Sequence, residues 1–231
     1  MTTAPEYRPH GLGIYYGSSD MHVPSKSAAL CLSAGATWAA VLVQSVDGRK
    51  QDPARVADVC ASLRDVNITP WLYSFPTPGM PVSQPIAYLG KCAKAANTER
   101  VAWDVEPYQG FDWKQPEVDD LVRAFPSCSI TLYDRPQWHR LSWHQRPIWL
   151  QVYSASKETI KLAAVSAKWP RAVPCFAAYD GSADDMEADA IRCATMARSS
   201  GAAAVWSLAS VSPIKAATLK AWALSTWAPP A

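Results

Sequence analysis

Strand-like and helix-like segments alternate eight times along 231 residues, with no linker or low-complexity stretch to divide them. That alternation, at a length which α/β barrels use for one domain, predicts an α/β fold: a single-domain (β/α)8 TIM-type barrel over residues 1–231. A third observation removes the main competitor. A doubly wound sheet usually shows a glycine-rich phosphate turn after its first strand, and "GIYYGSSD" (13–20) has no GxGxxG.

The elements read as follows. "GLGIYYG" (11–17) is a strand, and "SKSAALCLSAGATW" (25–38) a helix with a serine at its start. "AAVLVQSV" (39–46) is the second strand. The helix at 52–66 has Asp52 at its N-cap and Pro53 at its first position. "ITPWLYSF" (68–75) is the third strand, followed by a helix over 83–99 with Ser83 as its cap. "RVAWDVEPY" (100–108) is the fourth strand, and 115–125 returns as a helix. "SITLYD" (129–134) precedes a short polar helix around Gln137 to Trp143, and "IWLQVYS" (148–154) a helix over 157–169. "VPCFAAYD" (173–180) leads to an amphipathic helix over 184–201 that ends at Gly201. "AAAVWSLAS" (202–210) is the eighth strand, and a helix over 212–224 closes the chain.

Composition narrows the function classes. Half the residues are hydrophobic (49%) and only 18% are charged, enough for a sizeable core. A net charge of +2 without a run of Lys and Arg argues against nucleic acid as a partner. No apolar stretch reaches the roughly 18 residues of a membrane span, and "MTTAPEYRPHGLG" lacks the features of a signal peptide. The expectation is a monomer made in the cytoplasm. Six cysteines stand singly with no CxxC, as buried free thiols rather than zinc ligands.

Barrel active sites are built at the C-terminal ends of the strands. Seven of the nine tyrosines fall at or just after those ends, Tyr7 and Tyr88 being the others. With Gln and Asp among them, flat rings with hydroxyls suit a sugar-binding cleft. Candidate lining residues are Tyr15, Asp20, Tyr73, Tyr108, Tyr133, Asp134, Gln151, Tyr153, Tyr179, Asp180 and Trp206.

The fourth strand supplies the chemistry. Its alternation puts Val101, Trp103 and Val105 on one face and Ala102, Asp104 and Glu106 on the other. The apolar set belongs against the helices, which sends both acids into the barrel mouth, about 7 Å apart at Cα. Two carboxyls so close in a partly dry site do not both ionise freely, and one keeps its proton. Glycoside cleavage requires that arrangement. Glu106, nearer the strand end, is assigned as proton donor; Asp104, deeper, as its ionised partner. A structural acid pair, or a Mg2+ site on the same two acids, would use the same residues. No metal or cofactor is expected: the four histidines form no HxH or HExxH, no GxSxG elbow is present, and "DGSADD" and "ASVSP" form no phosphate cradle.

"VAWDVEPY" resembles the D-x-E strand of the family 25 glycoside hydrolases, the lysozyme-like muramidases. "WLYSF", "ITLYD" and "IWLQVY", the last similar to a W-x-x-Q-Y strand, extend the resemblance over roughly residues 68 to 154. It implies a barrel that hydrolyses β-1,4 bonds of peptidoglycan, an endolysin of phage or bacterial type, with Glu106 as catalytic acid, Asp104 as partner, and Gln151 and Tyr153 in the groove. Release to the cell wall would need a holin-type or other non-classical route. The sequence departs from that family on the first strand, where "GIYYGSSD" replaces G-x-D-V-S and Asp20 substitutes only from a loop; Asp180 is the candidate for a later aspartate. The departures leave a second expectation open: an inactive barrel that binds glycan or protein, for example in a phage particle or secretion apparatus.

Overall fold

A computed structural model describes residues 7–106, 111–135, 138, 140–153, 159–178 and 181–227. Eight parallel strands close in chain order, each bonded to the next and the eighth to the first. They are β1 (Gly11–Tyr16), β2 (Ala36–Gln44), β3 (Thr69–Ser74), β4 (Val101–Val105), β5 (Ser129–Tyr133), β6 (Ile148–Gln151), β7 (Val173–Ala177) and β8 (Ala202–Trp206). The helices are α1 (Pro24–Ser33), α2 (Pro53–Asp65), α3 (Ser83–Ala95), α4 (Gln115–Ala124), α5 (Thr159–Lys168), α6 (Ala183–Ser200) and α7 (Pro213–Trp227). The (β/α)8 barrel is the observed fold. None of the described helices is long and apolar enough to cross a membrane.

Two local expectations are corrected. The first helix stops at Ser33, because Gly35 takes the left-handed φ of 74° and its N–H bonds back to Leu32 O, freeing Thr37 and Trp38 for β2. Ser83 is the first residue of α3 rather than its cap, which is Val82, without a side-chain bond. Between β5 and β6 the described residues hold a 3-10 helix, Ser142–Gln145, while Gln137, where the predicted short helix begins, lies outside them. Other signals hold: Asp52 accepts from Ala54 N at 3.1 Å, and Gly201 ends α6 with φ 79°.

Strand parity builds two apolar layers. Outward residues such as Ile14, Val41, Trp103, Val105 and Leu132 pack under the helices. Inward residues fill the barrel, where the rings of Trp38, Trp71 and Trp149 meet with centroids 4.8–6.4 Å apart. Gly13 faces Trp38 across β1 and β2, and a Cβ there would lie 2.1 Å from the indole. The position therefore excludes every larger residue while Trp38 holds its place.

Candidate active site

β4 presents its acids as its alternation requires. Trp103 and Val105 are buried in the outer layer, so Asp104 turns inward and Glu106, one residue past the strand, follows it. Asp104 is 0% exposed and Glu106 half-buried. Gln151, from β6, reaches across β5 and donates from Nε2 to Asp104 Oδ1 at 2.9 Å. Asp104 Oδ2 and Gln151 Oε1 are buried and have no hydrogen-bond partner among the described residues. Asp104 is thus neither closed off by an arginine nor fully paired.

Burial pushes both carboxyls up. For Asp104 the loss of water dominates, the like charge of Glu106 adds to it, and the Gln151 amide opposes, leaving the carboxyl well above the usual range. Glu106 is raised mainly by burial, against bonds from Gln151 and Tyr133 that favour its ionised form. The expectation that the deeper acid stays ionised is therefore corrected: burial works against the charge on Asp104. Both carboxyls are pushed toward their neutral forms, Asp104 by its depth and by the like charge of Glu106.

Two predicted tyrosines lie beneath the pair rather than along an open groove. Tyr15 is 1% exposed and donates to Thr131 Oγ1 at 3.1 Å; Tyr73 is 0% exposed and donates to the Tyr16 carbonyl at 3.0 Å. Trp206 packs on both, at 4.8 and 5.9 Å between centroids. Tyr133 and Tyr153 are half-buried at the ends of β5 and β6, edge to face at 6.2 Å. Asp20 is buried in a 3-10 turn after β1, where it accepts from Gly17 N at 2.7 Å. Asp134 bonds outward, accepting from Trp169 Nε1 at 2.9 Å and Lys168 Nζ at 3.3 Å. Tyr108, Tyr179 and Asp180 lie outside the described residues.

Other contacts escape sequence reasoning. Trp113 Nε1 donates to the Glu106 carbonyl at 3.2 Å, fixing the backbone that carries the acid. Trp113 packs on Trp143, and Trp143 on Trp138, all three buried. Thr131 and Cys175 complete the inward ring around Tyr15. The register gives a signal for Thr131: it pairs directly with Asp104 across β4 and β5. Among the described residues no group of three or more His, Cys, Asp or Glu could hold a metal ion.

No protein-family model matches the chain, and no curated protein matches it. Solved structures do. The catalytic domain of a hyperthermophilic chitinase from Pyrococcus furiosus has a TM-score of 0.64 at 13% identity, covering 97% of this chain and 98% of that one. The spore cortex-lytic enzyme SleL of Bacillus cereus has 0.60 at 11% identity, covering 92% and 74%. A GH30 endoxylanase from Clostridium papyrosolvens has 0.62 at 9% identity, covering 94% and 72%. The likeness is one of fold. It shows a barrel of the kind these glycan-degrading enzymes use, and the family 25 resemblance rests on the sequence motifs alone.

Proposed function

We propose that the chain is a glycoside hydrolase acting on cell-wall glycan, a muramidase-like enzyme on peptidoglycan, with Glu106 as general acid and Asp104 as partner carboxyl. One observation carries this reading: a half-buried Glu106, its proton favoured by burial, stands on the same inward face as a wholly buried second acid at the C-terminal end of β4. A carboxyl raised in this way is the kind that can hand a proton to a glycosidic oxygen. As Glu106 gives it up, the bonds from Gln151 and Tyr133 stabilise the charge it gains. Tyr133, Tyr153 and Trp206, half-buried at the strand ends, offer ring faces to sugar. The fold shared with a chitinase and a cortex-lytic enzyme supports the substrate class. In this reading the chain works as a monomer, reaching the wall by holin-type or other non-classical release.

Purified cell walls test it. The parent protein should clear their turbidity and release reducing ends, and Glu106→Gln should abolish both while keeping its thermal transition. A folded parent that releases no reducing sugar from peptidoglycan or a chitin-like polymer sinks the hydrolase reading. A second reading, a glycan-binding barrel of a phage particle or secretion apparatus, is favoured by the committed state of Asp20 and Asp134. Parent and Glu106→Gln would then sediment equally with insoluble walls and release nothing.

A further inference from the structure

Met80 and Phe111 are large apolar side chains left 61% and 58% exposed on the loops after β3 and β4. Phe111 is the one aromatic ring among the exposed large apolar side chains of the described residues. Both loops belong to the C-terminal end of the barrel, and the second carries on from Glu106. The ring is seated. It lies against Gly79, where an added Cβ would meet Phe111 Cδ1 at 2.8 Å and Cγ at 3.1 Å. Gly79 takes a left-handed φ of 77°, and its N–H donates to Glu117 Oε1 at 2.8 Å. Glu117 Oε2 accepts from Lys114 N at 2.9 Å, so one carboxylate of α4 ties the two loops together. Past the ring, Asp112 accepts from Trp138 Nε1 at 2.6 Å, and Trp113 holds the Glu106 carbonyl. The segment that carries Phe111 is thus braced against the strand end that carries the acid.

We propose that Phe111 is a stacking platform for the glycan: its open face takes the apolar face of a pyranose ring beyond the bond cleaved at Glu106. This rests on the reading of Glu106 as the general acid. A ring held on pinned backbone loses little freedom when it is covered, so the contact costs little entropy. The carboxylates beside it, Asp112 and Glu117, are engaged by N–H donors, which leaves a flat apolar face as what the loop presents. The C–H face of a sugar matches that surface. Met80, next to Gly79 in the chain, extends it with a side chain that adapts to its partner. Two side chains fall well short of the roughly 800 Å² per partner that a stable dimer buries, so a second copy is the poorer occupant.

Binding is measured on protein carrying Glu106→Gln, which keeps the glycan intact. Peptide-free glycan strands from peptidoglycan and a β-1,4-linked N-acetylglucosamine hexamer serve as probes in calorimetry. Adding Phe111→Ala should weaken binding about five- to tenfold, the loss of one partly covered ring. Phe111→Tyr keeps the flat face and should hold the affinity within about twofold; Phe111→Leu, apolar but not flat, should not. With Glu106 in place, Phe111→Ala should raise KM on peptidoglycan and change kcat less. Equal affinities across the Phe111 series overturn the proposal, as does a protein that binds neither probe. A loss seen on intact peptidoglycan but not on peptide-free strands makes a peptide the occupant and overturns it too. So does a parent dimer, found by sedimentation, that Phe111→Ala converts to monomer. Ring-dependent binding in a parent that releases no reducing ends leaves the platform standing and sinks the hydrolase reading. An active parent indifferent to Phe111 does the reverse.

Discussion

In the lower part of the barrel Trp38, Trp71 and Trp149 fill the interior with touching indoles, whereas two residues further along the same or adjacent strands stand Tyr73, Asp104 and Gln151. Both regions are almost wholly removed from water. They differ in what burial does. For the indoles it contributes stability through area and contact. For the carboxyls it stores a penalty, visible as raised proton affinity and as the unpartnered Asp104 Oδ2 and Gln151 Oε1. The tryptophan floor makes an interior stiff enough to keep an unfavourable acid pair in place, and the pair is where chemistry is available.

The largest expected effect breaks the upper region alone. Glu106→Gln keeps the shape of the side chain and removes its proton chemistry, so glycan cleavage should fall about a hundred- to ten-thousand-fold. The thermal transition should stay within a degree or two or rise, since a penalised group has gone. A large drop in melting temperature would mean that Glu106 holds the fold together and would erase the contrast.

Next comes the floor. Trp149→Ala removes an indole that touches Trp38, Trp71 and Tyr15, and should cost about 3–5 kcal/mol in chemical denaturation. The buried Trp149 Nε1 has no partner among the described residues, and removing such a donor places the loss toward the lower end of that range. An undiminished stability would show that the barrel does not depend on its indoles.

How far these regions are legible in the sequence follows from the same contrast. Val101, Trp103 and Val105 declare the parity of β4, and parity alone turns Asp104 and Glu106 inward. Depth is another matter. Tyr15 and Tyr73 sit at strand ends as a groove residue would, yet their hydroxyls are spent on Thr131 and the Tyr16 carbonyl, because period two gives the face of a residue and not its height in the barrel. The raised proton affinity of Asp104 is hidden from the sequence for a related reason. Neighbour charge is visible from the spacing of two acids, but the loss of water that dominates Asp104 depends on the seven other strands that close the barrel. Contacts such as Gln151 to Asp104, 47 residues apart, and Trp113 to the Glu106 carbonyl come from closure of the barrel, which no local pattern encodes.

A smaller effect sharpens the comparison through pH. Because the folded protein holds the Asp104 proton more tightly than the unfolded chain does, the folded state carries more protons between the two values. Stability is then highest below about pH 4, the ordinary carboxyl value, and falls as pH rises toward the raised folded value. The slope is at most about 1.4 kcal/mol per pH unit for this proton. Asp104→Asn should flatten it and make the protein about 1–2 kcal/mol more stable than the parent at pH 7, at the expense of activity. Urea midpoints at pH 4, 6 and 8 read this directly, and a parent curve with no downward slope would show that Asp104 is not held as a neutral acid.

The smallest effect is expected at Asp134, which separates strand-end position from function. Its carboxylate is 17% exposed and bonds Trp169 Nε1 and Lys168 Nζ on the side of α5, away from Asp104 and Gln151. The ion pair is weak, since the lysine is 46% exposed. Asp134→Asn retains an acceptor for the indole and loses only the charge. It should cost less than about 1 kcal/mol in stability and leave glycan turnover within about twofold of the parent. The sequence placed Asp134 in the groove by position alone, and the structure gives it a partner on the outer layer instead. If Asp134→Asn raised KM on peptidoglycan severalfold with its fold intact, the carboxylate would have to leave Lys168 for the substrate. The boundary between chemical and structural acids would then run outside Asp134 rather than between it and Glu106.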